Sequence, residues 1–313
     1  MHNTAGHNVE KAYQEASRHF DHWEKTKDLI DQLIDLSLNL RQSGHPGGSR
    51  SKLHILVTTL LSGAMRWDIR RPEKRFADRF ILAAGHTNPL VYATLAVLNE
   101  ALRTKYRQTG DKRYYVPTER GVFPEDLLTL RRNKGLPGHA EMAGKTLFFK
   151  FNTGPSGHGM PAAVGQALAL KMAAADGVKV FALEGEGGLT PGASHETKNS
   201  AWGLGLSNLY FLIDWNDFGI DDQPISSVVY GTPQTWFESY GWRTLGTEQG
   251  MDWASVARVI LEMVHGANPA KTPTAGWFKT RKGRNYGVYD NKSHGAPHSP
   301  MNSPAFWETK RPF

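Results

Sequence analysis

Residues 178–222 read VKVFALEGEGGLTPGASHETKNSAWGLGLSNLYFLIDWNDFGIDD. The stretch opens on Val178, Val180, Phe181, Ala182 and Leu183, a short run rich in branched and aromatic residues that predicts a buried parallel strand. It stops at Gly185-Glu186-Gly187-Gly188, where glycine lets the backbone turn sharply and approach a ligand closely. A helix is expected from about Ala193 to Trp202. A second apolar strand, Leu209 to Ile213, then ends in the polar cluster Asp214-Trp215-Asn216-Asp217. Together these make one βαβ unit, with the glycine turn and Asn216 both at carboxyl ends of strands, where open α/β sheets bind ligands. The residues there suit an anion held through a metal. Glu186 offers a carboxylate, Asn216 an amide oxygen and the following residues carbonyls, all ligands that Mg²⁺ and Ca²⁺ prefer. The N–H groups of the turn and of the helix start would hold phosphates. Taken alone, the glycine turn reads equally well as a plain structural βα turn.

Working outward, 313 residues allow one large α/β domain or two smaller ones. A hydrophobic content of 39% with 32 glycines fits a globular chain, and no run approaches the length of a membrane span. The first twenty residues lack the apolar core of a signal peptide, so a cytoplasmic protein with no membrane contact is expected. Cysteine is absent, which excludes disulfides, thiol catalysis and thiolate metal sites. The formal charge of +7 is dispersed, with small groupings at Arg70-Arg71, Arg131-Arg132 and Lys279–Arg284. No nucleic-acid-binding pattern accompanies it. The charge reads as a solvated basic surface combined with a field that attracts phosphorylated metabolites.

The spacing in the central stretch carries a resemblance. Gly185-Glu186-Gly187, Leu206-Ser207-Asn208-Leu209, Asp214-x-Asn216 and Ile220-Asp221 are similar to the thiamine diphosphate fingerprint of transketolases: GDG, about thirty residues, then Asn. Here Asn216 lies 31 positions after Gly185 (216 − 185). Glu186 stands where the family has Asp; its extra methylene keeps the charge and is expected to push the carboxylate outward.

Further segments resemble the same family in the same order. A helix is expected over residues 9–42, dense in Leu29, Ile30, Leu33, Ile34, Leu36, Leu38 and Leu40, and ending at the loop Ser43-Gly44-His45-Pro46-Gly47-Gly48. That loop is similar to SGHPGAP, whose histidine faces the substrate channel. A packing helix follows, about Lys52 to Leu61. Asp78–Leu82 reads as a strand, and with Ala83-Ala84-Gly85-His86 it resembles DRFVLSxGH, whose histidine sits over the cofactor's diphosphate. A helix from about Pro89 to Arg103 precedes an irregular connection, 104–134. Gly135–Glu141 resembles TPGHPE and places His139 near the donor's reactive end. Thr153–Gly159 resembles TGPLGQG, a loop against the cofactor's rings, with Ser156 and His158 departing from it. A helix spans Pro161 to Ala175. After the glycine turn, Pro191 stands where the family carries the glutamate of an acidic network, and Glu196 matches its next glutamate. Beyond Asp222, helices are expected over 233–240 and 253–264 and strands over 242–245 and 276–280. Lys279-Thr280 and Ser293-His294-Gly295-Ala296-Pro297 resemble KT…HGAP.

The resemblance covers residues 20 to 297. It implies an α/β fold with a mostly parallel sheet flanked by helices on both faces, a domain over 1–297 with an N-terminal helical arm, and a tail or linker over 298–313. It also implies two-carbon ketol transfer between phosphorylated sugars, with thiamine diphosphate and Mg²⁺ or Ca²⁺. The metal ligands would be Glu186, Asn216 and a backbone carbonyl near Phe218. His86, Gly185, Gly187, Asp214, Asn216, Ile220 and His294 would contact the cofactor, and Gly154 and Ser156 would line its ring site. His45, His139 and His294 would handle sugar hydroxyls. The pyrimidine-binding and C-terminal domains of the family are not in the sequence. The expected partner is a separate chain carrying them, in a heterotetramer, or a longer homodimeric product of which this is part. A non-catalytic paralogue with a structural role is the other reading.

Overall fold

The branched and aromatic runs form five strands: β1 (Arg79–Leu82), β2 (Val180–Gly185), β3 (Leu209–Trp215), β4 (Arg243–Thr247) and β5 (Thr274–Lys279). They pair in the order β1-β2-β3-β5-β4, every neighbour parallel, as crossover connections through helices require. The protein is seen as a computed structural model that describes residues 2–175, 177–220, 223–291, 294–295 and 299–313. Asp221 and Asp222 of the central stretch, and Ser293, Ala296, Pro297 and His298 around the last histidine motif, lie outside the described residues.

Side-chain alternation along the strands divides the core into two layers. Phe80, Leu82, Phe181, Leu183 and Leu212 face helices α2 (Phe20–Arg41), α4 (Leu53–Leu61), α5 (Asn88–Thr109) and α9 (Trp253–His265). Ile81, Val180, Ala182, Phe211 and Ile213 face α6 (Gly159–Met172), α7 (Gly192–Gly203) and α8 (Pro233–Glu238). These strand residues are almost completely buried, each Val, Leu, Ile or Phe worth about 2 kcal/mol of transfer free energy. With both faces covered, the strands read as continuous apolar runs.

Three expectations change. The helix over 9–42 is two helices, α1 (His2–Ser17) and α2, broken at Arg18-His19. No proline or glycine marks the break. It lets Phe20 turn onto Trp23, and Trp23 onto Trp253 of α9, at ring separations of 5.3 and 5.6 Å. Residues 46–48, expected as loop, open a short helix α3 (Pro46–Ser51), with Pro46 at its first turn, where a missing N–H costs nothing. The segment 299–313 carries helix α10 (Pro304–Glu308) and folds back on α2: Phe306 is buried, and Lys310 Nζ lies 3.3 Å from Asp35 Oδ2.

Candidate cofactor site

The carboxyl ends of β1, β2, β3 and β5 open into one cleft of about 480 Å³, within the range of small-molecule sites. Pairing of Gly185 with Asp214 sets the glycine turn beside the residues that follow β3. The turn itself is a tight 3-10 segment, Glu186–Leu189. A Cβ on Gly187 would meet no atom within 4 Å, so this face of the turn is open to the cleft. At Gly85 the reverse holds: a Cβ would lie 2.5 Å from the Thr153 carbonyl oxygen, so glycine there lets the loops bearing His86 and Gly154 pack together.

The cleft brings together His45, His86, His139, Gly154, Ser156, Gly185, Glu186, Gly187, Asn216, Phe218, Ile220 and His294, twelve of the thirteen site residues the sequence suggested. His45, His86 and His294 form a triangle of rings, 4.9 to 5.3 Å apart. Burial, reinforced by Lys52 and the neighbouring imidazoles, pushes His86 down to about 2; burial and Lys282 push His294 down to about 4. Both are neutral near pH 7, able to donate one N–H and accept at the other nitrogen. His139 is exposed at the rim, its ring against Gly154.

The thirteenth residue, Asp214, does not line the cleft. It is fully buried beneath the cleft, and its carboxylate accepts from Ser51 Oγ at 2.5 Å, Lys52 Nζ at 2.8 Å, Asn216 Nδ2 at 2.8 Å and Thr280 Oγ1. Its role is to position Asn216 and Lys52. Glu186 also departs from expectation. Its carboxylate folds back into the protein, where Oε2 accepts from Asn216 N–H at 3.2 Å and Oε1 from Phe218 N–H at 3.1 Å. Burial and the adjacent Asp214 raise its pKa well above the usual carboxylate range.

Sequence reasoning missed two lysines. Lys52 lay in a segment taken as an apolar packing helix, and Lys282 in a grouping read as solvated surface combined with a field for phosphorylated metabolites, not as a residue of the site. Both are buried and both line the cleft. Lys282 Nζ donates to the carbonyl oxygen of Phe218 at 2.8 Å and to that of Gly219. Burial pulls its pKa down to about 8, against the pull of Glu186. Glu184, also in the lining and buried, is raised to about 7 by desolvation. Glu196 and His158 are exposed and outside the lining, and Pro191 packs against Gly157 at the start of α7.

Neutral imidazoles, an open glycine turn and two lysines suit a diphosphate, and the cavity leaves room for rings beside Gly154, Ser156 and Ile220. A divalent ion fits less well. Glu186 Oε1 and Asn216 Oδ1 both accept from the Phe218 N–H, so they converge as two ligands would. The third expected ligand, the Phe218 carbonyl, is held by Lys282. At an effective dielectric of about 20, a divalent ion about 4 Å from an ammonium is repelled by about 8 kcal/mol. The two cations therefore compete for that oxygen.

A parallel sheet with a cleft at the carboxyl ends of its strands is the arrangement of ligand-binding α/β domains. The profile of the transketolase thiamine diphosphate binding domain matches residues 125–303, more than half of the chain. The chain belongs to the transketolase family. It is 30% identical to transketolase 1 of Escherichia coli over 249 residues, which is 75% of this chain and 34% of that protein. It is likewise 30% identical to the transketolase of Geobacillus stearothermophilus, over 82% of this chain and 36% of that one. A transketolase structure from Campylobacter jejuni superposes with a TM-score of 0.70 at 25% identity, covering 88% of this chain and 41% of that one. One from Pichia stipitis, in complex with sedoheptulose-7-phosphate, gives 0.73 at 25% identity, covering 88% and 39%. The chain thus spans about a third of the length of the curated relatives it matches.

Proposed function

We propose that this chain is the diphosphate-binding half of a transketolase, transferring a two-carbon ketol unit from a ketose phosphate to an aldose phosphate. The observation that carries the reading is the single cleft that gathers glycine turn, Asn216 and histidines at the carboxyl ends of the strands of a family member. Thiamine diphosphate, when bound, supplies the carbon nucleophile that carries the transferred unit. His86, His294 and the N–H groups around Gly185 and Gly187 would hold the diphosphate. Gly154, Ser156 and Ile220 would bound the rings. His45, His139 and His294 would donate to and accept from the sugar's hydroxyls. Asp214 would act through Asn216 and Lys52. The Mg²⁺ or Ca²⁺ expected from the sequence finds Glu186 and Asn216 but a contested carbonyl, so no step is assigned to it.

The partner would be a separate chain carrying the pyrimidine-binding and C-terminal domains, paired in a heterotetramer, or the rest of a longer homodimeric polypeptide. The length covered in the relatives supports either arrangement. A cytoplasmic setting belongs to the same proposal; among the described residues no helix is long and apolar enough to cross a membrane. One observation favours a second reading, a non-catalytic paralogue: Pro191 replaces an acidic group of the family's proton network. The test is affinity purification from the native source, followed by a ketol transfer assay on the recovered complex. Transfer that requires thiamine diphosphate is expected. A complex that assembles, binds the cofactor and transfers nothing would leave the paralogue.

A further inference from the structure

We propose that Lys282 is the resident cation of this cofactor site, and that thiamine diphosphate binds here without a divalent metal. The inference rests on the cofactor proposed above. Lys282 leaves the end of β5 and reaches across the cleft to the loop after β3, where it donates to two successive carbonyls, Phe218 and Gly219. An ammonium has three donors, so one remains for a ligand, and Lys282 lines the cleft. Such a group serves a phosphate oxygen as a point charge.

The surrounding groups are arranged around a lysine. The Glu186 carboxylate accepts from the backbone N–H groups of residues 216 and 218, so it holds the carbonyl-bearing loop in place. The segment after Lys282 is fixed at several points. Gly283 N–H donates to the Gly47 carbonyl at 3.0 Å, Asn291 N–H to that of Lys282 at 2.8 Å, and Arg284 Nη2 to Asp31 at 2.7 Å. On the opposite wall Lys52 is held by Asp214, with its Nζ 3.5 Å from where a Cβ of Gly185 would stand. Both lysines line the same cleft as the glycine turn. A cation tethered to the chain cannot dissociate, and it already holds the Phe218 carbonyl that a divalent ion would need as its third ligand.

The experiment is calorimetric titration of the unmodified protein, in its native complex, with thiamine diphosphate, in excess EDTA and again in excess magnesium. Equal affinity in both is expected. In the Lys282→Met variant, affinity in EDTA should fall roughly ten- to a hundredfold, the effect of losing one charge-assisted hydrogen bond, and magnesium should restore part of it. Binding by the unmodified protein that appears only with magnesium overturns the inference and leaves the proposed function standing. Absence of binding in both conditions removes the cofactor reading and the inference together. Should Lys282→Met fail to fold, the EDTA comparison on the unmodified protein decides alone.

Discussion

Arg50 shows what a single side chain does when its charge is fully enclosed. Its guanidinium donates to Asp35 Oδ1 at 2.5 Å and to the Arg284 carbonyl at 2.7 Å, while Arg284 pairs with Asp31 at 2.7 Å. Replacing Arg50 with Met takes from buried Asp35 its shortest partner and leaves it Lys310 at 3.3 Å, so Arg50→Met should cost about 3 kcal/mol, read from urea unfolding. A loss under 1 kcal/mol would mean water reaches the cluster. His54, packed on the Trp253 ring at 4.3 Å, is held well below its ordinary value by burial and by Arg284 and Lys27. For a base whose folded pKa is depressed, the unfolded chain binds the extra proton. Its stabilising contribution is present above about pH 6.5 and is lost as pH falls below that. The midpoint of thermal unfolding should therefore drop less between about pH 6.5 and 5 in His54→Gln than in the parent protein; parallel curves would dismiss His54 as the sensor. At this scale the histidines of the cleft were legible, because each sits in a glycine- or proline-bearing loop whose order matches one family. The lysines were not. Lys52 meets Asp214 across 162 positions, and no local pattern announces such a pairing.

Among the elements, the β2–α7–β3 unit was readable almost to the residue, since a strand buried on both faces leaves an unbroken apolar run. The break before α2 was unreadable because its cause is aromatic packing against α9, more than two hundred residues away. The tail was equally opaque: with its prolines and short helix it has no periodicity long enough to read. Its docking nevertheless makes a prediction. Phe306 is 3% exposed, so Phe306→Ala should cost about 3 kcal/mol and expose the segment after residue 298 to limited proteolysis. Unchanged digestion and unfolding would show that the tail's place on α2 rests on other contacts. The cofactor loop gives a matching test. Asn216→Ala should abolish cofactor binding, because Asn216 joins Asp214 beneath the cleft to the loop above it. A titration identical to that of the parent protein would remove Asn216 from the site.

On the scale of the whole molecule, the segment after β3 carries large apolar side chains in water: Ile220, which lines the cleft, and Val228 and Tyr230 beyond it are 75%, 70% and 101% exposed. Exposed apolar side chains mark association surfaces, and these are the candidate contact for the proposed partner. Val228→Asp should weaken the complex by about tenfold or more in size-exclusion or sedimentation measurements while leaving the isolated chain folded. Undiminished assembly would move the interface elsewhere. The order of strands has one more consequence, in time. Arg79 of β1 pairs with Val180 of β2, 101 positions later (180 − 79), and the cleft draws His45 and His86 from one side of that gap and Asn216 and Lys282 from the other. Pairings so distant in sequence slow folding. During synthesis β1 must wait, its apolar edge unpaired, until a further hundred residues have left the ribosome. The ligand pocket is consequently among the last features to mature, and a nascent chain halted before β2 would present a sticky strand to the cell's chaperones.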